Sequence, residues 1–407
     1  MTASYNAANS QDERGWLETL LHKYHHDEAV SSIVGLSKED VGVKGDNYSS
    51  QISRVTLQLY LNSGRKSKKT LIVKSPINME IPMPLFKTEI KVYGTILKEL
   101  TALMRTHQDP HDTLWCEMIG HDEYKAIVFE DLKAGNFQIA DRRKLLDLNH
   151  GLLVLNSLGR FHAMTHVLLC KGLLDKNDLG GHLFSPPTTL SKRLLEGGFQ
   201  QLSCVMDEFW PPEWKETAKK FARESKLVEE KVLKIFEQFK DSFLVMNHGD
   251  CWTCNMMFKY CPYDETMPIA VKFFDFQISN VNSYIFDVTL FTYVCIRPDE
   301  RRQNMDRLLK EYQKSLASTL EFYGMPGVAP TLEQVHADVK SIQYLAMFYS
   351  TAFLPASMAD SSESFSMENI LGTCEPKHAF NPAPLKSEKF RKLIEPDIRQ
   401  WEKQGVL

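Results

Sequence analysis

Short apolar runs alternate with polar positions in the first third of the chain. Apolar residues occupy nearly every second position over residues 51–61, a charged turn carrying Gly64 follows, and a second apolar run covers residues 70–74. Strands with one buried face show this alternation, and a short turn between two of them predicts a β-hairpin. The Ala-Ile-Val-Phe run at residues 126–129 predicts a further strand. The N-terminal part is therefore expected to contain an antiparallel sheet.

Helical spacing dominates the rest of the chain. Apolar side chains recur at intervals of three and four over residues 86–100, which predicts one prominent helix after the hairpin. Beyond Leu132, helices are predicted over residues 145–173, 214–239, 306–323, 332–349 and 386–404, with short apolar strands at 243–246 and 269–274. We therefore expect a two-lobed α+β protein. Residues 1–130 are predicted to form a sheet lobe with one main helix, and residues 131–407 a larger, mainly helical lobe.

The composition of the chain argues against nucleic-acid binding, secretion and a membrane span. The 407 residues include 48 Lys and Arg against 52 Asp and Glu, a net charge of −4, which argues against nucleic-acid binding. The first ten residues lack the basic head and apolar run of a secretory signal. No stretch reaches the roughly 18 apolar residues of a membrane span, and the most apolar one, 285–296, contains Asp287. We therefore expect a cytoplasmic protein without a membrane span.

The eight cysteines are scattered along the chain, which fits reduced thiols better than a disulfide framework. Cys251 and Cys254 form a Cys-x-x-Cys, but a zinc ribbon requires a second pair. Coincidental spacing is the favoured interpretation of this pair.

One segment carries most of the chemical information. Residues 247–255 read Asn-His-Gly-Asp-Cys-Trp-Thr-Cys-Asn and directly follow an apolar strand, so that His248 and Asp250 precede Asn255. A second acidic residue, Asp275, stands at the end of the next predicted strand. Either carboxylate alone also fits a cap of the turn after a strand, where Asp is common. Their joint occurrence in this order favours a catalytic interpretation.

Phosphoryl transfer from ATP explains the need for these residue types. The attacking hydroxyl must be oriented and must lose its proton, and the Asp250 carboxylate is the candidate base. Mg²⁺ prefers oxygen ligands and binds between a few protein donors and the nucleotide phosphates. Asn255 and Asp275 are the candidate metal ligands. ATP and Mg²⁺ are therefore the expected cofactors.

The N-terminal lobe offers candidates for binding the nucleotide. Lys74 ends an apolar strand, where its ammonium can reach the α and β phosphates, and Glu89 on the following helix can pair with it. Residues 44–50 form a turn with one glycine, whose amides and hydroxyls can cover phosphates. The candidate contacts in this turn are Asn47, Tyr48, Ser49 and Ser50. A surface Lys–Glu pair and a plain turn before the hairpin remain the alternatives.

One segment and two single residues receive roles from their surroundings. The segment Glu130-Asp131-Leu132 falls where the sheet pattern gives way to helices, and its backbone can hydrogen-bond an adenine ring. Glu130 and Leu132 are therefore candidate nucleotide contacts, with a simple linker as the alternative. His162 is predicted to be a buried packing residue. Asp287 lies in an apolar run, so we expect hydrogen bonds that let it hold the backbone of residues 247–255.

Together these residues resemble the insect ecdysteroid-kinase-like family, within the aminoglycoside-phosphotransferase and protein-kinase-like superfamily. The matching segments are 44–50, 73–74, 86–93, 128–132, 158–163, 244–255, 273–277 and 284–290. The resemblance implies a bilobal protein-kinase-like fold and transfer of the γ-phosphoryl group of ATP to an alcohol, with ecdysteroids as the best-known acceptors. It implies Asp250 as the base and Asn255 with Asp275 as the metal ligands. Lys74 with Glu89 would order the phosphates.

Departures from protein kinases argue against a protein substrate. Gly249 stands where those enzymes carry an arginine partner for a phosphorylated activation loop, Gln277 follows the Asp-Phe pair in place of glycine, and no Ala-Pro-Glu follows. We expect a small-molecule alcohol as the acceptor, with a steroid favoured. A kinase for choline, ethanolamine or a foreign alcohol remains an alternative, as does a catalytically silent ligand-binding protein of the same fold.

Overall fold

The structure is a computed structural model that describes residues 2–23, 30–41, 50–76, 83–122, 125–359 and 374–407. Its N-terminal strands are β1 (Val30–Asp40), β2 (Ser50–Leu61), β3 (Lys66–Pro76), β4 (Met118–Asp122) and β5 (Ala126–Glu130). The helices of this part are α1 (Thr2–Lys23), α2 (Met83–Lys91) and α3 (Leu97–Thr106). A π-helical turn, Val92–Ile96, joins α2 to α3, and the three segments form one continuous helix.

The C-terminal part is mainly helical. Its helices are α4 (Leu148–Cys170), α5 (Thr189–Phe209), α6 (Lys215–Glu224), α7 (Val228–Phe239), α8 (Ile285–Val294), α9 (Pro298–Phe322), α10 (Leu332–Ser341), α11 (Gln343–Phe348), α12 (Leu354–Met358), α13 (Ala383–Lys386) and α14 (Glu388–Gln404). Its strands are β6 (Leu244–Asn247), β7 (Met256–Cys261), β8 (Asp264–Phe273) and β9 (Asn280–Ser283), which pair as β6–β9 and β7–β8. No helix within the described ranges has both the length and the apolar character needed to cross a bilayer.

The five N-terminal strands form one antiparallel sheet in the order β1-β2-β3-β5-β4. Period-two alternation assigns its two faces. On β5, Ala126 and Val128 pack with the cluster beneath α1, whereas Ile127 and Phe129 belong to the main core with α2–α3. The predicted β2–β3 hairpin is confirmed, and its register sets Ile52 opposite Lys74.

The main core continues from α2–α3 into the C-terminal helices. At its centre α4 crosses α9 so closely that a Cβ on Gly159 would lie 2.6 Å from the carbonyl oxygen of Tyr312. A glycine is required at such a crossing. This tight packing fixes α4 against α9, and α4 also contacts β6 and β8, which lead into the candidate site.

The α+β, bilobal kinase-like fold predicted from the sequence is confirmed, although single elements differ. The hydrophobic patterns do not predict β1, β7 or α5. The predicted helix 214–239 is two helices separated by a turn at residues 225–227. Helix α5 does have a readable start, since Thr188 and Ser191 form a capping box. The division of the chain at residue 130 stays a prediction.

Candidate active site

Lys74 stands in a buried ion cluster that joins the sheet to the C-terminal part. Its Nζ is 2.7 Å from Glu89 Oε2 on α2 and 2.7 Å from Asp275 Oδ1, just after β8. Lys74 and Glu89 are only 4% and 1% exposed. An isolated charge at this depth would be strongly unfavourable, so the ammonium and the carboxylates stabilise one another. The Lys74–Glu89 pair expected from the sequence is present, and its role with phosphates stays a prediction.

Burial and the neighbouring charges shift the pKa values of Lys74 and Glu89. Burial opposes the charge of Lys74, but the Asp275 and Glu89 carboxylates outweigh burial and raise the pKa of the ammonium. Burial also raises the pKa of Glu89, with Lys74 acting in the opposite direction. Lys74 is therefore a fixed positive charge at neutral pH.

Asp275 has a backbone conformation that few residues with a side chain adopt. Its φ is +64°, in the left-handed region that Asp and Asn tolerate better than most residues. Such strained conformations persist where surrounding contacts hold them, and they cluster at functional sites. Two contacts hold this conformation. Lys74 binds the Asp275 carboxylate, and the N–H of the preceding residue, Phe274, donates to the carbonyl oxygen of Asn255 at 3.1 Å.

The segment after β6 turns sharply at Gly249. Its φ is +83°, and a Cβ there would lie 2.2 Å from the carbonyl oxygen of Ile278. Conformation and space both exclude a side chain at this position. The absence of the protein-kinase arginine is therefore a requirement of this backbone.

Asp250 and Asn255 are in direct contact. Asn255 lies in the 3₁₀ turn Thr253–Asn255, and its Nδ2 donates to the Asp250 carbonyl oxygen at 3.0 Å and to Asp250 Oδ2 at 2.8 Å. Because the amide nitrogen makes both bonds, the amide oxygen of Asn255 is the atom that remains for a cation. The turn thus orients the amide and the carboxylate together.

Asp287 fixes the backbone that leads to Asp250. At the first turn of α8, its Oδ2 accepts from the His248 N–H at 2.6 Å and its Oδ1 from the Gly249 N–H at 3.0 Å. The buried His162 ring contacts Oδ2 at 3.3 Å. Burial opposes ionisation, but these donors and the nearby His248 lower the pKa of Asp287. The expected bracing of the loop by Asp287 and the burial of His162 are both confirmed.

His248 links the two halves of the candidate site. Its Nε2 is 3.0 Å from the carbonyl oxygen of Phe274, which can only accept, so Nε2 carries the proton. Its Nδ1 then accepts from the Asp250 N–H at 3.3 Å. Burial lowers the pKa of His248, in agreement with a neutral ring. One imidazole therefore ties the Asp250 segment to the Asp275 segment.

Asp250 itself is partly exposed, and its acidity is shifted strongly. Burial raises its pKa to about 7, and the Asp275 charge acts in the same direction, whereas the hydrogen bond from Asn255 opposes the shift. A carboxylate with a pKa near neutrality can exchange protons at physiological pH, as a general base must.

An aromatic stack that sequence reasoning missed connects the same elements. Phe276 packs edge-on to Tyr93 of the π turn at 5.4 Å between centroids and lies 4.6 Å from the His248 ring. Phe161 of α4 lies 5.8 Å from Phe276 on another side. The sequence signal that could have revealed these contacts is the aromatic residue Phe276 directly after Asp275. The stack couples the helix that carries Glu89 to the loop that carries Asp250.

The segment 130–132 is held by charges that the sequence did not reveal. Arg54 Nε on β2 is 2.8 Å from Asp131 Oδ2, and Lys272 Nζ on β8 is 3.2 Å from Glu130 Oε1. The Glu130 N–H donates to the Glu117 carbonyl, and the Leu132 carbonyl accepts from Phe137. These contacts use part of the backbone capacity of the segment. Contact of Glu130 and Leu132 with a nucleotide stays a prediction.

The turn predicted to cover phosphates falls largely outside the described residues. Asn47, Tyr48 and Ser49 are not described, whereas Ser50 begins β2 and is 4% exposed. Their contacts with a nucleotide stay predictions.

The donor set fits a hard cation shared with phosphates. Asp275 offers the carboxylate oxygen that does not bind Lys74, and Asn255 offers its amide oxygen. In the part of the chain that the structure describes, no group of three or more His, Cys, Asp and Glu could enclose a metal. A cation here would therefore complete its shell with phosphate and water, which is the usual arrangement for Mg²⁺.

A cavity of about 610 Å³ lies elsewhere in the C-terminal part. It is lined by residues of α7, by Lys176 and Ser185, and by Leu244, Val281 and Asn282 of the β6–β9 pair. None of the candidate site residues lines it. Leu244 opens β6, whereas Asp250 follows its far end, so the cavity is not assigned to the candidate site.

Comparison with known proteins gives one family. A search of curated proteins finds no match. The family described as ecdysteroid kinase-like matches residues 44–325, which is more than half of the chain and includes each of the segments that form the candidate site. The chain belongs to the ecdysteroid kinase-like family.

Proposed function

We propose that this protein is a cytoplasmic, ATP- and Mg²⁺-dependent kinase that phosphorylates a hydroxyl group of a small-molecule alcohol, with an ecdysteroid or similar steroid alcohol as the acceptor. Membership of a kinase-like family supports phosphoryl transfer in general. Neither nucleic acid nor protein is proposed as a substrate.

The convergence of two distant loops carries this proposal. Asp275 binds Lys74 at 2.7 Å, Asn255 binds Asp250 at 2.8 Å, and His248 joins the two loops through its bond to Phe274. These contacts support the proposal that the candidate base, the amide, the second carboxylate and the ammonium act together at one site. Phosphoryl transfer depends mainly on positioning and charge, which this arrangement supplies.

Each side chain has a defined task in the proposed reaction. The Asp250 carboxylate orients the acceptor hydroxyl and takes its proton as the oxygen attacks the γ-phosphorus of ATP. The bond between that phosphorus and the oxygen of ADP breaks, and ADP leaves. Lys74, held by Glu89, neutralises the phosphate oxygens of the nucleotide. Asn255 and Asp275 would hold Mg²⁺, which when bound neutralises charge on the transferred group. Asp287 keeps the Asp250 backbone in place through the His248 and Gly249 amides.

Adenine recognition is proposed for the segment between the two lobes. The Glu130 N–H and the Leu132 carbonyl already have protein partners. The Glu130 carbonyl and the Leu132 N–H are therefore the groups proposed to face the base.

Thermal shift tests nucleotide binding without knowledge of the acceptor. A saturating Mg-ATP concentration should raise the melting temperature of the wild type by several degrees, since a ligand at a hundredfold its Kd adds about 2.7 kcal/mol. Asp275→Asn keeps a residue that tolerates a positive φ and should lose most of the shift. Asp264→Asn, an exposed acid at the other end of β8, should keep it. Absence of a shift in the wild type would refute ATP binding.

An acceptor screen tests the reaction itself. Transfer of labelled γ-phosphate should occur to an ecdysteroid and not to choline, ethanolamine or an aminoglycoside. Transfer to one of the latter alone would refute the steroid assignment and keep the kinase. Binding of Mg-ATP without transfer to any alcohol would favour the silent ligand-binding alternative.

A further inference from the structure

A cysteine outside the candidate site has the surroundings of a reactive thiol. Cys170 is the last residue of α4, and among the eight free cysteines it alone is exposed. Its Sγ is 3.5 Å from Nε2 of His166, one helical turn earlier. Neither residue has a task in the proposed phosphoryl transfer.

The His166 ring is held in the tautomer that a base requires. Its Nδ1 is 2.7 Å from the carbonyl oxygen of Leu244, which can only accept a hydrogen bond. Nδ1 therefore carries the proton, and a neutral ring presents the lone pair of Nε2 to the thiol. Burial lowers the pKa of His166, in agreement with a neutral ring at pH 7.

A second contact fixes the plane of the ring. Phe243 stacks on His166 with 4.0 Å between centroids and an interplanar angle of 21°. A nucleophile next to a base that a third group orients is the usual arrangement of an activated side chain. The stack and the Leu244 carbonyl together supply that orientation.

Three of the other cysteines are shielded from reagents. Cys116, Cys251 and Cys295 are buried, and burial raises the pKa of each thiol. Since the thiolate is the reacting form, these three are expected to be inert in the folded protein. Cys261, at the end of β7, is partly buried and serves as an internal reference.

We propose that Cys170 is a modification site that undergoes thiol–disulfide exchange with low-molecular-mass disulfides, with His166 as the base. His166 Nε2 takes the thiol proton as Sγ attacks one sulfur of glutathione disulfide. The new bond joins Cys170 to glutathione, the disulfide bond of the reagent breaks, and the departing glutathione thiolate takes the proton from His166. One thiol-level sulfur and two disulfide-level sulfurs are present before and after, so no further oxidant is needed.

Reaction rates in the wild type give the first test. Short pulses of glutathione disulfide and of iodoacetamide, followed by peptide mass mapping, should modify Cys170 first. Its rate constant is expected to exceed that of Cys261 by about tenfold or more. Equal rates at the two cysteines would overturn the proposal without any variant.

A matched pair of variants separates the base from mere exposure. His166→Asn retains an amide N–H for the Leu244 carbonyl and removes Nε2, and it should lower the Cys170 rate about tenfold while Cys261 is unchanged. Lys171→Gln removes the adjacent exposed positive charge and should leave most of the rate. An unchanged Cys170 rate in a folded His166→Asn protein, or a full loss in Lys171→Gln, would assign the reactivity to exposure or local charge instead.

Discussion

Asp250 and Asp287 stand on either side of one short loop and ionise in opposite ways. The pKa of Asp287 is lowered, whereas the pKa of Asp250 is raised to about 7. Burial acts in the same direction at both positions, since it disfavours the charged form. Depth alone therefore does not explain the difference.

The hydrogen-bond donors around each carboxylate decide whether its pKa is lowered or raised. Asp287 accepts from two backbone amides and contacts the His162 ring, all of which favour its charged form. Asp250 accepts from one neutral amide, of Asn255, and feels the negative charge of Asp275. The contacts of Asp287 stabilise a backbone, whereas the surroundings of Asp250 leave a carboxylate that binds a proton near neutral pH. A loop can thus be rigid and reactive at once because two aspartates divide the tasks.

The largest expected effect concerns turnover at Asp250. Asp250→Asn keeps the size of the side chain and an oxygen that can accept from Asn255, but it removes the proton acceptor. Under the proposed function, turnover of the alcohol should fall by about a thousandfold, while the Mg-ATP thermal shift is retained. The measurement is initial-rate transfer of labelled phosphate to the acceptor found in the screen.

Asp241→Asn provides the control for this experiment, because Asp241 is exposed just before β6. It should leave turnover unchanged. Wild-type turnover in Asp250→Asn would remove Asp250 as the base, and loss of the thermal shift would show that the substitution disturbs the nucleotide site.

Asp287→Asn should lower the stability of the folded protein. Asn has one oxygen, so one of the His248 and Gly249 amides would face an NH₂ group, and the favourable charge would be lost. We expect the free energy of unfolding to fall by about 3 kcal/mol, as for other disrupted buried charge networks. Urea denaturation followed by circular dichroism measures the loss.

An exposed aspartate sets the baseline for that measurement. Asp207→Asn on α5 should change stability by less than about 0.5 kcal/mol. A similarly small effect of Asp287→Asn would mean that the loop does not depend on this carboxylate.

Sequence patterns were sufficient for elements whose periodicity reflects a single buried face. The alternation of β2 and β3 fixed a hairpin, and the spacing of apolar residues fixed the helix that carries Glu89. Asp287 was predictable for a similar reason, because an acid in an apolar run must find donors. In each case one local rule dominates the structure.

The remaining features depend on contacts between distant segments. The 2.7 Å contact of Lys74 with Asp275 spans 201 residues, and no local pattern contains it. The Arg54–Asp131 pair and the Phe276 stack are also products of tertiary packing. The positive φ of Asp275 is strain that local preference opposes, so sequence reasoning could identify the residue and not its conformation.

A smaller effect of opposite sign is expected for the stability of Asp250→Asn. The substitution removes a carboxylate that burial and Asp275 both disfavour. At pH 7 the variant should be more stable than the wild type by about 1 kcal/mol. This is less than the roughly 4 kcal/mol that the full pKa shift corresponds to, because the side chain is partly exposed and solvent screens its charge. Urea denaturation of the two proteins in the absence of nucleotide measures the gain. A destabilised variant would show that the Asp250 carboxylate contributes to the fold as Asp287 does.

The smallest effect is the dependence of that gain on pH. In the unfolded chain Asp250 ionises near pH 4, and in the folded protein near pH 7, so the folded state holds an extra proton between these values. Wild-type stability should therefore fall as pH rises from about 4 to 7 relative to Asp250→Asn. The gain should be absent near pH 4, grow through this window and level off above it. For Asp287 the sign reverses, since a lowered pKa gives stability that is lost as pH falls below about 4. Urea titrations of the three proteins at pH 2, 3, 4, 5, 6, 7 and 8 measure both trends. A gain that is constant across the series would show that the Asp250 carboxylate ionises alike in the folded and unfolded chains, and the contrast between the two aspartates would fail.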